Sequence, residues 1–261
     1  MDFIYDVCNS LNIKYEKHKY FNDGVSSKVM LINDKYLVKE NTVEELKGEV
    51  LYLNANVSEI MQKVIYVDED YKYVVFDFIK GNVMKDVVDI EDLLKKLSKV
   101  VFNYKPTNIE GFGYMDDIKI SWKEFLLDEI SSCDNLKEYI PSDEYVKKCI
   151  DNLEKYPFNK SIIHGDFGTH NFIEYDGKLK GIIDPQAILG DPIYDLLFAI
   201  VSNVDILSTL TLDDIYALAK EDNNKIHDLL VVVLYSRISR CLKYHPQDIS
   251  IYIDFYNKIS L

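Results

Sequence analysis

The feature that most constrains this chain is a change of hydrophobic period near Lys80-Gly81-Asn82. Before it, apolar and polar positions alternate with a period near two over residues 27–32, 36–39, 63–67 and 71–79. Such alternation buries one face of a strand. Asn33-Asp34 and Asp68-Glu69-Asp70 fall between these runs as polar turns. One helix is expected among the strands. Thr42 and Glu45 form a capping box there, and Leu46, Val50 and Leu53 follow on one face. After Gly81 the period becomes helical over residues 89–102, where Leu93, Leu94, Leu97, Val100 and Val101 recur. Ser121 with Glu124 caps a second helix, a third is expected over 143–155, and Pro192 opens a helical remainder. Short strands at 161–163, 172–175 and 179–183 surround the turn Asp176-Gly177. The pattern predicts an α+β chain. Residues 1–80 form a small antiparallel β-lobe of five or so strands with one helix, and residues 81–261 a larger, mainly helical lobe.

The 261 residues carry 30 Lys and Arg against 44 Asp and Glu, a formal net charge of −14. That balance argues against a duplex-binding protein, whose affinity comes largely from neutralising phosphates. No run approaches the 18 or so apolar residues of a membrane span, and the first residues lack the basic start of a secretion signal. A soluble, cytoplasmic protein with no nucleic-acid or membrane partner is expected. Cys8, Cys133, Cys149 and Cys241 are scattered and read as small core residues rather than zinc ligands or disulfides.

The chemistry concentrates in Ile162-Ile163-His164-Gly165-Asp166-Phe167-Gly168-Thr169-His170-Asn171, followed by Gly181-Ile182-Ile183-Asp184-Pro185. One Asp follows an apolar strand, an Asn comes five residues later, and a second Asp ends the next apolar strand. Two carboxylates and an amide oxygen then sit at the ends of neighbouring strands. Hard oxygen donors of this kind suit Mg²⁺, and one carboxylate is left to accept a hydroxyl proton. The spacing matches the Asp-x4-Asn loop and metal-binding Asp of kinase-type phosphoryl transfer.

With its continuation Gly190-Asp191-Pro192-Ile193-Tyr194-Asp195, this segment resembles the aminoglycoside phosphotransferase family. The resemblance implies a bilobal, protein-kinase-like fold and phosphorylation of hydroxyls on antibiotics or small metabolites, with ATP or GTP as donor and Mg²⁺ as cofactor. It makes Asp166 the catalytic base, Asn171 and Asp184 the metal ligands, and Asp195 a buried brace for the catalytic loop. His164 is expected to bond backbone within the loop, and His170 to be an exposed loop histidine.

Lys39 ends an apolar strand, as the phosphate-pairing Lys of a kinase does. Such a Lys needs a carboxylate on the following helix to orient it. Glu49 best matches the family position, Glu45 is explained by the cap, and Glu44 by a solvated face. Asn22-Asp23-Gly24-Val25-Ser26-Ser27-Lys28 stands where a loop would cover phosphates, through Gly24, Ser26 and Ser27. Residues 74–81 resemble the hinge, where the backbone of Asp77, Phe78 and Ile79 would meet the purine.

For the acceptor, residues 1–80 hold 10 basic against 14 acidic side chains and the remainder 20 against 30. A negative helical lobe attracts polycations such as aminoglycosides, with Asp213, Asp214, Glu221, Asp222, Asp248 and Asp254 as candidate contacts. The alternatives are a metabolic kinase for an amino alcohol, sugar or homoserine-like acceptor, a nucleotide-binding module without turnover, and a metal-dependent hydrolase.

Overall fold

Asn33 and Asp34 take left-handed backbone, with φ of 52° and 53°, a conformation these two residue types tolerate better than most. The chain reverses there between two strands of its largest sheet. The computed structural model describes residues 2–21 and 27–260. Its first part comprises α1 (Asp2–Ser10), β1 (His18–Phe21), β2 (Lys28–Ile32), β3 (Tyr36–Glu40), α2 (Val43–Ala55), β4 (Val64–Val67) and β5 (Val74–Asp77). The strands form one antiparallel sheet in the order β1-β2-β3-β5-β4.

Period two decides what each face of this sheet meets. Val38 and its partner Val75 join Met30 and Ile32 in a core shared with Ile4, Val7 and Cys8 of α1. Leu37, Val74 and Phe76 pack on the opposite side into the main core with Leu46 and Val50 of α2. Lys39 is two residues from Leu37, so it shares the α2 face. Two helices therefore accompany the five strands, where the sequence pattern suggested one.

Beyond the sheet follow β6 (Asn82–Val83), α3 (Ile90–Val101), β7 (Gly113–Tyr114), α4 (Trp122–Ser131), α5 (Glu144–Leu153), β8 (Ser161–Ile163), β9 (Phe172–Tyr175), β10 (Lys178–Ile182) and β11 (Ile188–Gly190). The chain ends with α6 (Pro192–Val201), α7 (Val204–Thr209), α8 (Leu212–Ala219), α9 (Asn223–Tyr244) and α10 (Ile249–Ile259). The long α9 packs on α4, α5, α6 and α10. Asp191 caps α6 by accepting from Ile193 N at 3.0 Å, with Pro192 at the first helical position. Thr42 and Ser121 cap α2 and α4 as expected, but Glu124 reaches back to Ile120 N and Glu45 makes no return bond, so neither box closes. All four cysteines are free and buried. Among the described residues no helix is long and apolar enough to cross a membrane.

The strands that carry the Asp-x4-Asn segment divide between two small sheets, β10-β9-β6 and β7-β11-β8. Asp166 and Asp184 thus follow strands of different sheets, not adjacent strands of one. The stretch after α2 joins the parts. Met61 bridges to Ile182, Ile182 N donates to Ile60 O at 2.8 Å, and Asn56 Nδ2 donates to Ile162 O at 2.8 Å.

Candidate active site

Lys39 is only 8% exposed and Glu49 3%. Their Nζ and Oε2 atoms lie 2.9 Å apart, with the Lys39 ammonium also against the Asp184 carboxylate. Burial alone would lower the Lys39 pKa, but the two carboxylates outweigh it and hold the ammonium above its ordinary value. Burial pushes the Glu49 carboxyl up, with Lys39 pulling the other way. A helical glycine brings this corner together. A Cβ on Gly48 would stand 3.3 Å from Ala187 Cβ and 3.7 Å from Gln186 O, so glycine lets α2 lie close to the segment after Asp184. Asp184 has φ 61°, in the left-handed region that Asp tolerates better than most residues.

Asp166 sits in a loop held mainly through its backbone. Asp195 is fully buried and accepts from His164 N at 2.6 Å, Gly165 N at 2.9 Å and the Tyr104 hydroxyl at 2.8 Å. Burial pushes its carboxyl up to about 7, against three hydrogen bonds that favour the ionised form. The His164 ring is also buried. Its Nε2 lies 2.9 Å from Ile183 O and its Nδ1 3.3 Å from Asp166 N, so the neutral tautomer with the proton on Nε2 satisfies both. Burial pulls its pKa down to about 4. The structural role expected for His164 is the one observed. Gly165 is required twice over, by φ 81° and by Ile188 Cδ1 at 2.5 Å from where a Cβ would stand.

The Asp166 carboxylate faces two donors. Asn171 Nδ2 lies 3.1 Å from Oδ2 and 2.8 Å from the Asp166 carbonyl, and His170 Nε2 lies 3.0 Å from Oδ2. Burial would raise the Asp166 pKa, but the His170 contact outweighs it and the carboxyl sits below its usual range. His170 is exposed as expected, yet its ring also hydrogen-bonds the Asp166 carboxylate.

Lys39, Glu49, Asp166 and Asp184 line one cavity of about 520 Å³. Glu44, Glu45, Asp116 and Asp117 line it too, so Glu44 is not merely on a solvated face. None of the six carboxylates proposed from sequence is there. Asp214 closes a capping box with Thr211, Asp222 caps α9, and Glu221 pairs with Lys225. Asp116 and Asp117 lie in an irregular segment where no periodicity marks them.

Asn171 supplies an amide oxygen and Asp184 a carboxylate, and Ile183 N donates to Asn171 O at 3.0 Å, which keeps the two segments adjacent. Among the described residues no three His, Cys, Asp or Glu converge as a metal cluster. Mg²⁺ asks for less, since it is usually held by one or two protein oxygens with substrate phosphates and water completing the octahedron. The donor set therefore fits a nucleotide-borne Mg²⁺.

The expected purine edge is partly occupied. Asp77 N donates to Lys63 O, Asp77 O accepts from Gln62 Nε2 at 3.0 Å, and Phe78 N donates to Lys35 O at 2.9 Å. Ile79 packs on Gly181, and the Phe78 ring stacks on Phe21 with centroids 6.5 Å apart. The carbonyl of Phe78 and the backbone of Ile79 are the parts of this edge with no hydrogen bond to the described chain. Gly24 and Ser26 lie outside the described residues. Ser27 lines a separate hollow with Lys28 and Glu40.

Residues 114–225 match the phosphotransferase enzyme family. The matched segment contains Asp166, Asn171, Asp184 and Asp195, while Lys39 and Glu49 lie outside it. No curated protein matches the chain. Among solved structures, aminoglycoside phosphotransferase APH(4)-Ia in ternary complex with AMP-PNP and hygromycin B is 14% identical, with a TM-score of 0.65 and coverage of 100% of this chain and 98% of that one. The GDP complex of aminoglycoside 2'-phosphotransferase-IIIa gives 15% identity, a TM-score of 0.58 and coverage of 99% and 97%. The streptomycin-ATP-APH(2")-IIa complex gives 14%, 0.59, and 99% and 95%. The fold is that of these kinase-like enzymes.

Proposed function

We propose, for a chain whose residues 114–225 match the phosphotransferase enzyme family and whose whole length shares the aminoglycoside phosphotransferase fold, that it moves the γ-phosphoryl group of ATP or GTP onto a hydroxyl of a small molecule. The observation that carries this reading is the single cavity in which the Lys39–Glu49 pair faces Asp184 and Asp166. Residues 1–80 form the nucleotide-binding lobe and residues 81–261 the catalytic and acceptor-binding lobe. Lys39, oriented by Glu49, binds the nucleotide phosphates. Asn171 and Asp184 hold Mg²⁺, which when bound neutralises phosphate charge.

Asp166 orients the acceptor hydroxyl and takes its proton as the new P–O bond forms and the bond to the β-phosphate oxygen breaks. Its lowered pKa keeps it ionised at neutral pH. His170 holds one of its oxygens, leaving the other to face the hydroxyl. Positioning contributes most, because the phosphoryl transition state needs little covalent assistance.

Glu44, Glu45, Asp116 and Asp117 favour a polycationic acceptor, an aminoglycoside-type antibiotic first. Thermal-shift measurement with Mg-ATP and Mg-GTP, followed by acceptors added to the better complex, tests the proposal. Stabilisation by nucleotide and ADP or GDP release with a cognate acceptor support it. Binding without release under any acceptor supports a non-catalytic module, and no binding of either nucleotide removes the kinase reading.

A further inference from the structure

A second cavity, of about 560 Å³, lies between residues 55–61 and the last turn of α3 with the segment 103–105. It shares no lining residue with the cavity of Lys39. The half-buried Ala55, Ile60 and Val100 supply an apolar wall, with the exposed Val57 at its rim. Lys96, Lys99 and Lys105 stand at it, against Glu59 as the single acidic side chain. Lys96 is paired with Asp92 at 2.7 Å. Lys99 and Lys105 have no ion pair among the described residues. In a chain of net charge −14 this is a local reversal of sign.

An open apolar hollow with a cationic edge suits a ligand of matching polarity, an apolar body with one negative head. We propose that this cavity binds a small amphipathic carboxylate of the medium-chain fatty-acid type, its chain against Val100 and Ile60 and its head between Lys99 and Lys105. The volume is that of an ordinary small-molecule site.

Its place in the fold gives the ligand something to act on. Tyr104 lines the cavity, and its hydroxyl donates to the Asp195 that clamps the Asp166 loop. Asn56, also in the lining, holds the Ile162 carbonyl of β8. A ligand there touches the residues that tie the catalytic strands to α2 without touching the catalytic cavity.

Octanoate titrated into the full chain tests this, with octan-1-ol and octylamine as controls and backbone amide shifts as the locator. Octanoate is expected to bind and to move the amides of residues 55–61 and 96–105, with octan-1-ol roughly 10-fold weaker, about the combined contribution of two exposed ion pairs. The exposed double substitution Lys99→Glu with Lys105→Glu is expected to abolish that preference and to favour octylamine. Val100→Trp is expected to fill the cavity and exclude all three. Equal affinity for octanoate and octan-1-ol, unchanged octanoate binding in the charge-reversed variant, shifts confined to other segments, or no binding at all would each overturn the proposal.

Discussion

The two ends of the catalytic cavity are held by different means. At the Lys39 end, three charged side chains from β3, α2 and the segment after β10 meet through one another. Lys39 and Glu49 are ten residues apart in sequence, and Lys39 and Asp184 are 145 apart. At the Asp166 end the loop is held by its own backbone. Asp195 takes two consecutive N–H groups, the His164 ring takes a carbonyl and an N–H, and Gln186 N donates to His164 O at 2.8 Å. Under the proposed function, the end that would take in and release a nucleotide is built from side-chain pairs that can exchange partners, and the end that would hold a carboxylate against a hydroxyl from fixed main chain.

If that contrast is right, damage at the two ends should differ in kind. Asp166→Asn keeps shape and removes the basic oxygen. Turnover is expected to fall by roughly 10²-fold to 10⁴-fold with fold and nucleotide affinity retained, as steady-state kinetics with a cognate acceptor would show. Activity within a few-fold of the unaltered protein would remove Asp166 from the chemistry. Asp195→Ala strips three donors of their acceptor in a fully buried position. At about 1 kcal/mol for each bond, and more in the ionised form, denaturation should show a loss of at least about 3 kcal/mol. A change under about 1 kcal/mol would mean that the backbone clamp is not what holds the loop.

The clamp also carries a pH signature. His164 is held neutral by burial, with its pKa pulled down to about 4 from the ordinary 6.5. The unfolded chain binds that proton more readily, so the His164 contribution is complete above about pH 6.5 and is lost as pH falls toward 4. It amounts to about 3 kcal/mol in all. The Asp195 carboxyl, pushed up to about 7, works in the opposite sense over the same range. Comparing urea midpoints of the natural protein and His164→Gln at pH 7 and pH 4.5 isolates the histidine, since Asp195 is common to both. The difference between the two proteins should change with pH, and parallel curves would contradict the assignment.

The smallest expected effect lies at the other end. In a double-substitution cycle on nucleotide affinity, Lys39→Ala and Glu49→Gln should be less than additive by about 1–3 kcal/mol, because they act as one pair. Additive losses would indicate that Lys39 depends mainly on Asp184.

How much of this was legible in the sequence follows the same division. The Asp166 loop is short and local, so its Asp-x4-Asn spacing and the downstream Asp195 stand within thirty residues of one another and could be read as one unit. Strand alternation placed Lys39 at a strand end, and α2 followed from Thr42 and its apolar stripe. The helix α1 is nine residues long, and only Ile4, Val7 and Cys8 mark its helical spacing beside the longer period-two runs that follow. β7 and β11 are two and three residues long, too short for any period. The acidic wall at Asp116 and Asp117 has no local signature, since only long-range packing brings that segment beside Glu44 and Glu45. The division of the catalytic strands between two sheets is a matter of pairing, which spacing along the chain does not encode.

Under the proposed function one cavity has a nucleotide end at Lys39 and a hydroxyl end at Asp166. Calorimetry of Mg-ATP and Mg-GTP binding, with no acceptor present, tests it directly on Lys39→Ala and Asp166→Asn. The affinity of the better nucleotide is expected to fall at least about 10-fold in Lys39→Ala, the equivalent of about 1.4 kcal/mol, and to stay within about two-fold of the natural protein in Asp166→Asn. Unchanged affinity in Lys39→Ala, or a loss in Asp166→Asn as large as that in Lys39→Ala, would contradict it.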